Sequence, residues 1–407
     1  MNTTRINRAP YRVLGFLLSG ATALAAEPAT ADAFTKALKD GKVSLNVRPR
    51  YEVVDQSNRR DADALTIRTA LGFTTASYNG FTASIEVEDV TAVDGSDYVV
   101  ASTLPSQRAA IVDPAGTEVN QVWLAYKFDD TTIKGGRFNL VLDNFRFIGN
   151  VGWRQNQQTF DGAVIQDKTF DKLALTYAYL DRINRILGDD NPGGNWTSDS
   201  HVLNASYTGL TAGTLTGYAY LLDFDNAAAF SCATYGVSFA GAAKLSDALK
   251  LSYRAEYALQ SDYGSSTLSY DTDYYVAEAG LVAKPGSLSL GYEVLGSDNN
   301  VGFKTPLATL HAFNGWADLF LATPAAGLKD YYVKGTASLP AAINLLAFYH
   351  KFEAESGGAD FGDEIDVQLT RKFGKYFTGL VKYAKFESDS AAFPDVEKIW
   401  VQVEFAY

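Results

Sequence analysis

Connections between strand-like stretches alternate strictly between short and long along this chain, and that alternation restricts the fold more than any other feature. Tight segments such as Ser77–Gly80, Asp129–Thr131, Gly209–Gly213, Pro285–Ser287 and Gly374–Lys375 carry the Gly, Pro, Asn and Asp that turns require. Between them lie nine longer polar segments: Val54–Asp63, Asp94–Gly116, Phe138–Gln157, Asn184–Asp199, Phe224–Phe230, Ser261–Asp271, Ser297–Gly327, Glu353–Phe361 and Glu387–Pro394. Nine long and eight short connections need eighteen strands, an even number that returns both ends to one side. The expected fold class is all-β: a transmembrane antiparallel β-barrel of 18 strands, with short periplasmic turns and long external loops.

The last residues fit the closing strand of such a barrel. Period-2 alternation puts Ile399, Val401, Val403, Phe405 and Tyr407 on one face and Trp400, Gln402 and Glu404 on the other. The first face suits lipid and the second suits water. An edge strand of a soluble sandwich is the alternative reading of this segment taken alone.

At the amino end, Arg5, Arg8 and Arg12 precede an apolar stretch from Val13 to Leu24, followed by Ala25, Ala26 and Glu27. This reads as a secretory signal peptide over residues 1–26, too short for the roughly 20 apolar residues a spanning helix needs. Residues 27–41 are expected as a periplasmic lead-in with a helical turn at Ala33–Leu38, and 42–407 as a single barrel domain. Lipid tolerates no unpaired backbone, so an exported chain without long apolar helices crosses a membrane only as a closed barrel. Tyr 24, Phe 24 and Gly 34 against one Met suit strands with aromatic girdles. Cys232 stands alone and forms no internal disulfide, and a net charge of −12 argues against nucleic acid as a partner.

Alternation also assigns the lumen. In Lys250–Tyr257 the even positions are polar, and the same test sends Arg48, Arg50, Glu52 and Arg68 inward. A charge facing lipid at mid-bilayer costs about 2–4 kcal/mol, which fixes that register. The inward cations Arg48, Arg50, Arg68, Lys127, Lys134, Lys250, Arg254, Lys334 and Lys382 are nearly balanced by Glu52, Glu86, Glu88, Glu256, Glu278, Glu293, Asp366 and Glu404. The wall is therefore no single-sign filter, and much of this charge pairs across strands. Barrels of 16–18 strands enclose an aqueous channel, so function is expected in the lumen.

Two loops are too apolar for free solvation. Phe138–Gln157 mixes Asp143, Arg146, Trp153 and Arg154 with Phe145, Phe147 and Ile148, and Ser297–Gly327 contains the run Thr305–Asp318. Both are expected to pack, either inside the barrel mouth or as caps on its rim.

These residues also carry a resemblance. Gly136-Arg137, then Asp143-Asn144-Phe145-Arg146-Phe147-Ile148-Gly149-Asn150-Val151-Gly152-Trp153-Arg154-Gln155-Asn156, then Thr159-Phe160-Asp161, together with Thr305–Asp318, resemble the alginate export family of outer-membrane proteins. The resemblance implies an eighteen-stranded barrel and, in dedicated exporters, an arginine-lined passage for a polyuronate. Arg137, Arg146 and Arg154 match the family's motif arginines, whereas Arg48, Arg50 and Arg68 are pore candidates by register alone. Two features depart from a dedicated exporter: the lumen is mixed in charge, and no periplasmic turn is long enough to serve as a plug.

No serine stands at a recognisable spacing from His201, His311 or His350, so no catalytic constellation is expected; His350 reads as a girdle residue and His311 as part of the packed loop. The acidic runs at Asp94 and Asp189 lack an EF-hand pattern, and neither cofactor nor metal is expected, although divalent ions could bridge such loops to lipopolysaccharide. The sequence thus points to a passive outer-membrane channel for hydrophilic, anionic solutes in contact with lipid and lipopolysaccharide. A dedicated polyuronate exporter and a structural or adhesive barrel with a closed mouth are the alternatives. Candidate solute-contacting residues are Arg48, Arg50, Arg68, Arg137, Asp143, Arg146, Arg154, Arg254, Lys334 and Lys382.

Overall fold

A computed structural model describes residues 31–101 and 107–407; residues 1–26, expected from the sequence as a signal peptide, lie outside them. Eighteen antiparallel strands form one closed sheet. It begins at Lys42–Gln56 and ends at Val396–Ala406, and these two strands pair with each other from Asn46↔Ala406 to Gln56↔Val396. Leu45 and Tyr407 exchange backbone hydrogen bonds of 2.9 and 3.1 Å at the seam. Closure leaves no unpaired edge, which is what permits the sheet to sit in lipid.

The short connections gather at one rim and the long ones at the other, as the sequence predicts. The first long connection is tighter than expected: Val54 still pairs with Ala62, Asp55 and Gln56 pair with the last strand, and only residues 57–61 lie between the two strands. Ala109 and Ile111 of the second long loop cover these strand ends, forming an apolar cluster with Val54, Ala62 and Ala64 that favours continued pairing.

Side-chain alternation sets the two faces. On the first strand Arg48, Arg50 and Glu52 are buried inside, while Val43 and Tyr51 are exposed outside. On the last, Trp400 and Gln402 point inward, and Ile399, Val401, Val403 and Tyr407 outward. Leu71, Leu124, Leu281, Leu290 and Ile365 extend this exposed apolar surface around the barrel, a patch that a soluble protein would not present and lipid accommodates. Aromatic residues mark both boundaries. Tyr376, Phe377 and Phe405 cluster near the short turns, and Tyr292 and Tyr331 stack at 4.7 Å toward the long loops.

The same parity corrects the reading of His350 as a girdle residue. Phe348 and His350 line an inner cavity and Phe352 is fully buried, whereas Tyr349 is the outward residue of this stretch. Aromatic rings on both faces hide the period-2 signal there. In the lead-in, a helix spans Ala31–Lys39 and touches the first short turn, where Ala76 N donates to Ala37 O.

The largest apolar cluster lies within the lumen. Phe147, Ile148, Phe303 and Leu307 come from the third and seventh long loops, and they pack against wall residues such as Tyr218 and Tyr274.

Candidate functional site

Both loops singled out in the sequence fold into the barrel; they do not cap the rim. The third, residues 139–158, is held by wall cations. Arg48 donates from Nη1 to Gly152 O (2.9 Å) and from Nε to Gln155 Oε1 (2.9 Å). Arg50 donates to Trp153 O (2.6 Å) and lies 4.1 Å from the Trp153 ring centre. In return, Arg154 donates from Nη2 to Glu52 Oε2 and to Asp113 Oδ2, each at 2.7 Å. Asp113 belongs to the second long loop and is fully buried. Burial alone would raise its pKa, but Arg154 and Arg50 hold the carboxyl below the usual range.

Further along the same loop, Arg146 binds Glu293 Oε1 (2.9 Å) and Asn314 Oδ1 (3.0 Å). Asp143 accepts from Asn204 Nδ2 at 2.7 Å, and burial pushes its pKa up. One loop thus touches the first strand, the eighth (Asn195–Leu210) and the thirteenth (Gly286–Leu295).

The seventh long loop, residues 296–327, docks beside it. Ile148 and Leu307 form a parallel bridge, Gly149 N donates to Leu307 O (2.8 Å), and Thr309 N donates to Phe145 O (3.1 Å). A Cβ at Gly149 would lie 2.4 Å from Thr309 Oγ1, so only glycine permits this approach. On the wall side, Ala317 N donates to Glu364 Oε1 (2.6 Å) and Trp316 N to Asp366 Oδ2 (3.2 Å). Gly315, at φ +85°, passes so close that a Cβ would sit 2.2 Å from Glu364 Oε2.

A polar chain completes the docking. Lys398 Nζ lies 2.8 Å from Asp318 Oδ2, His311 Nδ1 lies 2.7 Å from Asp318 Oδ1, and Lys382 Nζ lies 2.7 Å from His311 Nε2. Burial lowers the His311 pKa to about 3 against the pull of Asp318, so the imidazole is neutral. Nδ1–H therefore donates to Asp318, and Nε2 accepts from Lys382. The Lys382 ammonium sits 3.5 Å from the Trp316 ring centre and 4.1 Å from that of Trp153.

The candidate residues therefore divide. Arg48, Arg50, Arg146, Arg154 and Lys382 are buried and bind loops to wall, so they form no free ladder of cations. Arg68 is paired with Glu88, and Arg137 grips Asp161 through two hydrogen bonds of 2.7 and 3.1 Å. Arg254 and Lys334 instead line a cavity of about 340 Å³ between the loops and the wall. Its other walls include Phe145, Phe313, Asn314, Trp316, Tyr332, Phe348 and His350. Arg254 is paired with Glu256, His350 with Asp330, and Tyr332 Oη donates to Glu278 (2.8 Å). Lys334 makes no ion pair among the described residues; its ammonium lies 5.7 Å from the Phe348 ring centre.

Sequence reasoning missed Asp113, Asp330, Glu364 and Lys398. For Asp113 a signal existed, since Ala109-Ala110-Ile111-Val112 is as apolar as the two loops chosen.

The sequence model of the family described as alginate export matches residues 41–274. No curated protein matches the chain in sequence. Among solved structures the fold is similar to Acinetobacter baumannii OccAB4, with a TM-score of 0.73 at 15% identity over 90% of this chain and 98% of that one. It is similar also to Pseudomonas aeruginosa OpdK with vanillate, with a TM-score of 0.73 at 14% identity over 91% and 99%. A third is A. baumannii OccAB2, with a TM-score of 0.71 at 17% identity over 91% and 99%. These likenesses are of fold, and the barrel with its exposed apolar surface resides in the outer membrane. Because the matched segment runs from just before the first strand into the twelfth (Asp271–Ala283), more than half of the sequence, the chain belongs to the alginate export family.

Proposed function

We propose that this protein is a passive outer-membrane channel for small carboxylated solutes, with the luminal cavity as its selective site. The observation that carries this reading is the lining of that cavity: Lys334, which makes no ion pair among the described residues, stands among Phe145, Phe313, Trp316, Tyr332 and Phe348, with the carboxylates Glu278, Glu293 and Asp330 on the same walls. Those carboxylates are engaged by Tyr332, Arg146 and His350, which leaves the Lys334 ammonium available to an anionic group, and the rings offer faces to an apolar body. The cavity volume suits a small molecule and not a polymer. OpdK, similar in fold, was crystallised with vanillate, itself an aromatic carboxylate.

A dedicated polyuronate exporter draws its support from the family match. Against it, Arg146 and Arg154 are consumed by buried carboxylates and offer nothing to a passing uronate. Catalysis is likewise disfavoured, because His311, His350 and His201 are bonded to Asp318, Asp330 and Tyr177 and not to a serine.

Planar-bilayer recording of the purified barrel tests the proposal. Stepwise conductance with block by a small aromatic carboxylate at lower concentration than by oligouronates is the expected result. Stronger block by oligouronates would favour the exporter, and no conductance would favour a structural or adhesive barrel.

A further inference from the structure

The helix Ala31–Lys39 is unused by the channel, yet it is strongly two-sided. At about 100° per residue, Phe34 and Leu38 share one face, while Asp32, Lys36 and Lys39 lie opposite. Ala37 is buried against the first short turn, where its carbonyl accepts from Ala76 N, so the rotation of the helix is fixed by contact with the barrel. In that rotation Phe34 and Leu38 remain exposed, at 53% and 42%.

The register shows which side of the barrel wall the helix occupies. Tyr78 bridges Phe81, and bridged residues point to one face. Phe81 is outward: it pairs with Tyr126, and their rings lie 4.6 Å apart outside the wall. The Phe34 ring meets Tyr78 edge-on at 5.6 Å. Gly41, which joins helix to strand, lies against the outward-facing Phe73 ring. Phe34 therefore continues the row Tyr78, Phe81, Tyr126 and Phe128 of the aromatic boundary near the short turns.

We propose that Ala31–Lys39 is an interfacial foot, seated in the periplasmic leaflet of the outer membrane with Phe34 and Leu38 among phospholipid acyl chains and its charged face toward water. The occupant of the exposed face is phospholipid because that face is continuous with the lipid-facing aromatic boundary. A helix of this length with one narrow apolar face lies along a membrane surface and does not cross it. The Lys36–Asp40 ion pair on the opposite side keeps the polar face neutral enough to rest at the headgroups.

Site-specific labelling of the full chain tests this. Phe34→Cys, Leu38→Cys and Lys36→Cys, made singly and labelled with an environment-sensitive fluorophore, are reconstituted into phosphatidylethanolamine and phosphatidylglycerol vesicles carrying quencher lipids. The native Cys232 is fully buried and stays unlabelled. Labels at 34 and 38 should be blue-shifted and quenched several-fold more than the label at 36, approaching a Leu71→Cys reference on the lipid-facing wall. Equal, weak quenching at 34, 36 and 38 would overturn the proposal, as would strong quenching at 36 alone. Heat-modifiable migration of every variant on gels establishes that the barrels compared are folded.

Discussion

His311 donates from Nδ1 to Asp318 Oδ1 across 2.7 Å, and this bond decides which imidazole nitrogen is left to receive Lys382. The folded protein favours neutral His311, with its pKa lowered to about 3 from an ordinary 6.5. Its contribution to loop docking is thus complete above 6.5 and is lost as pH falls toward 3. Asp318, held below the usual carboxylate range by His311 and Lys398 despite burial, acts in the same direction at lower pH. At pH 5 docking should weaken by about 2 kcal/mol. Bilayer recordings should show more frequent gating at pH 5 than at pH 7, with His311→Gln abolishing the difference. Identical gating of the native channel at both values would dissociate His311 from the gate.

Arg154 is shared by two buried carboxylates. Arg154→Ala leaves Glu52 without its cation and Asp113 with only Arg50, 3.9 Å away, at a cost of about 3–5 kcal/mol. The barrel wall should survive, because its strands pair independently of the loop. Loop release should instead raise conductance and open residues 139–158 to protease. A variant of native conductance and native protease resistance would mean that Arg154 does not hold the plug.

Lys334 carries the proposed contact with anions. Lys334→Glu should reverse or abolish anion preference and remove block by small carboxylates, with barrel yield unchanged, since Lys334 makes no ion pair among the described residues and only its approach to the Phe348 ring is lost. If reversal potentials in a salt gradient stay at native values, the selective contact lies elsewhere.

Val401 lies outward on the closing strand, 47% exposed. Val401→Lys places a cation in lipid at about 2–4 kcal/mol and should reduce the heat-modifiable fraction. Unimpaired assembly would mean that this face does not meet the bilayer core.

The orientation of Arg48, Arg50 and Glu52 was legible because period-2 alternation is local: each residue's face follows from its two neighbours. Their partners were not. Arg154 meets Glu52 across 102 positions and Arg146 meets Glu293 across 147, and no local pattern encodes such pairing. Hence arginines that read as a passage for solute prove to be anchors for the loops. The apolar content of the two loops did announce that they pack, since burial of Phe147 or Leu307 needs only a hydrophobic surface. Which surface it would be depends on the wall residues that the closed ring brings around the loops, Tyr218 and Tyr274 among them.

A hoop of eighteen strands is stiff along each strand but can flatten into an oval, because every hydrogen bond in its wall joins nearest neighbours. The third loop opposes that deformation as a three-ended spoke: Arg154 is tied to the first strand, Asp143 to the eighth and Arg146 to the thirteenth. These anchor points divide the circumference into roughly equal arcs, so squeezing the barrel along any diameter loads at least one of them. The cross-section of the pore, and with it the size of solute that passes, is therefore a mechanical property of the loop as much as of the strand number.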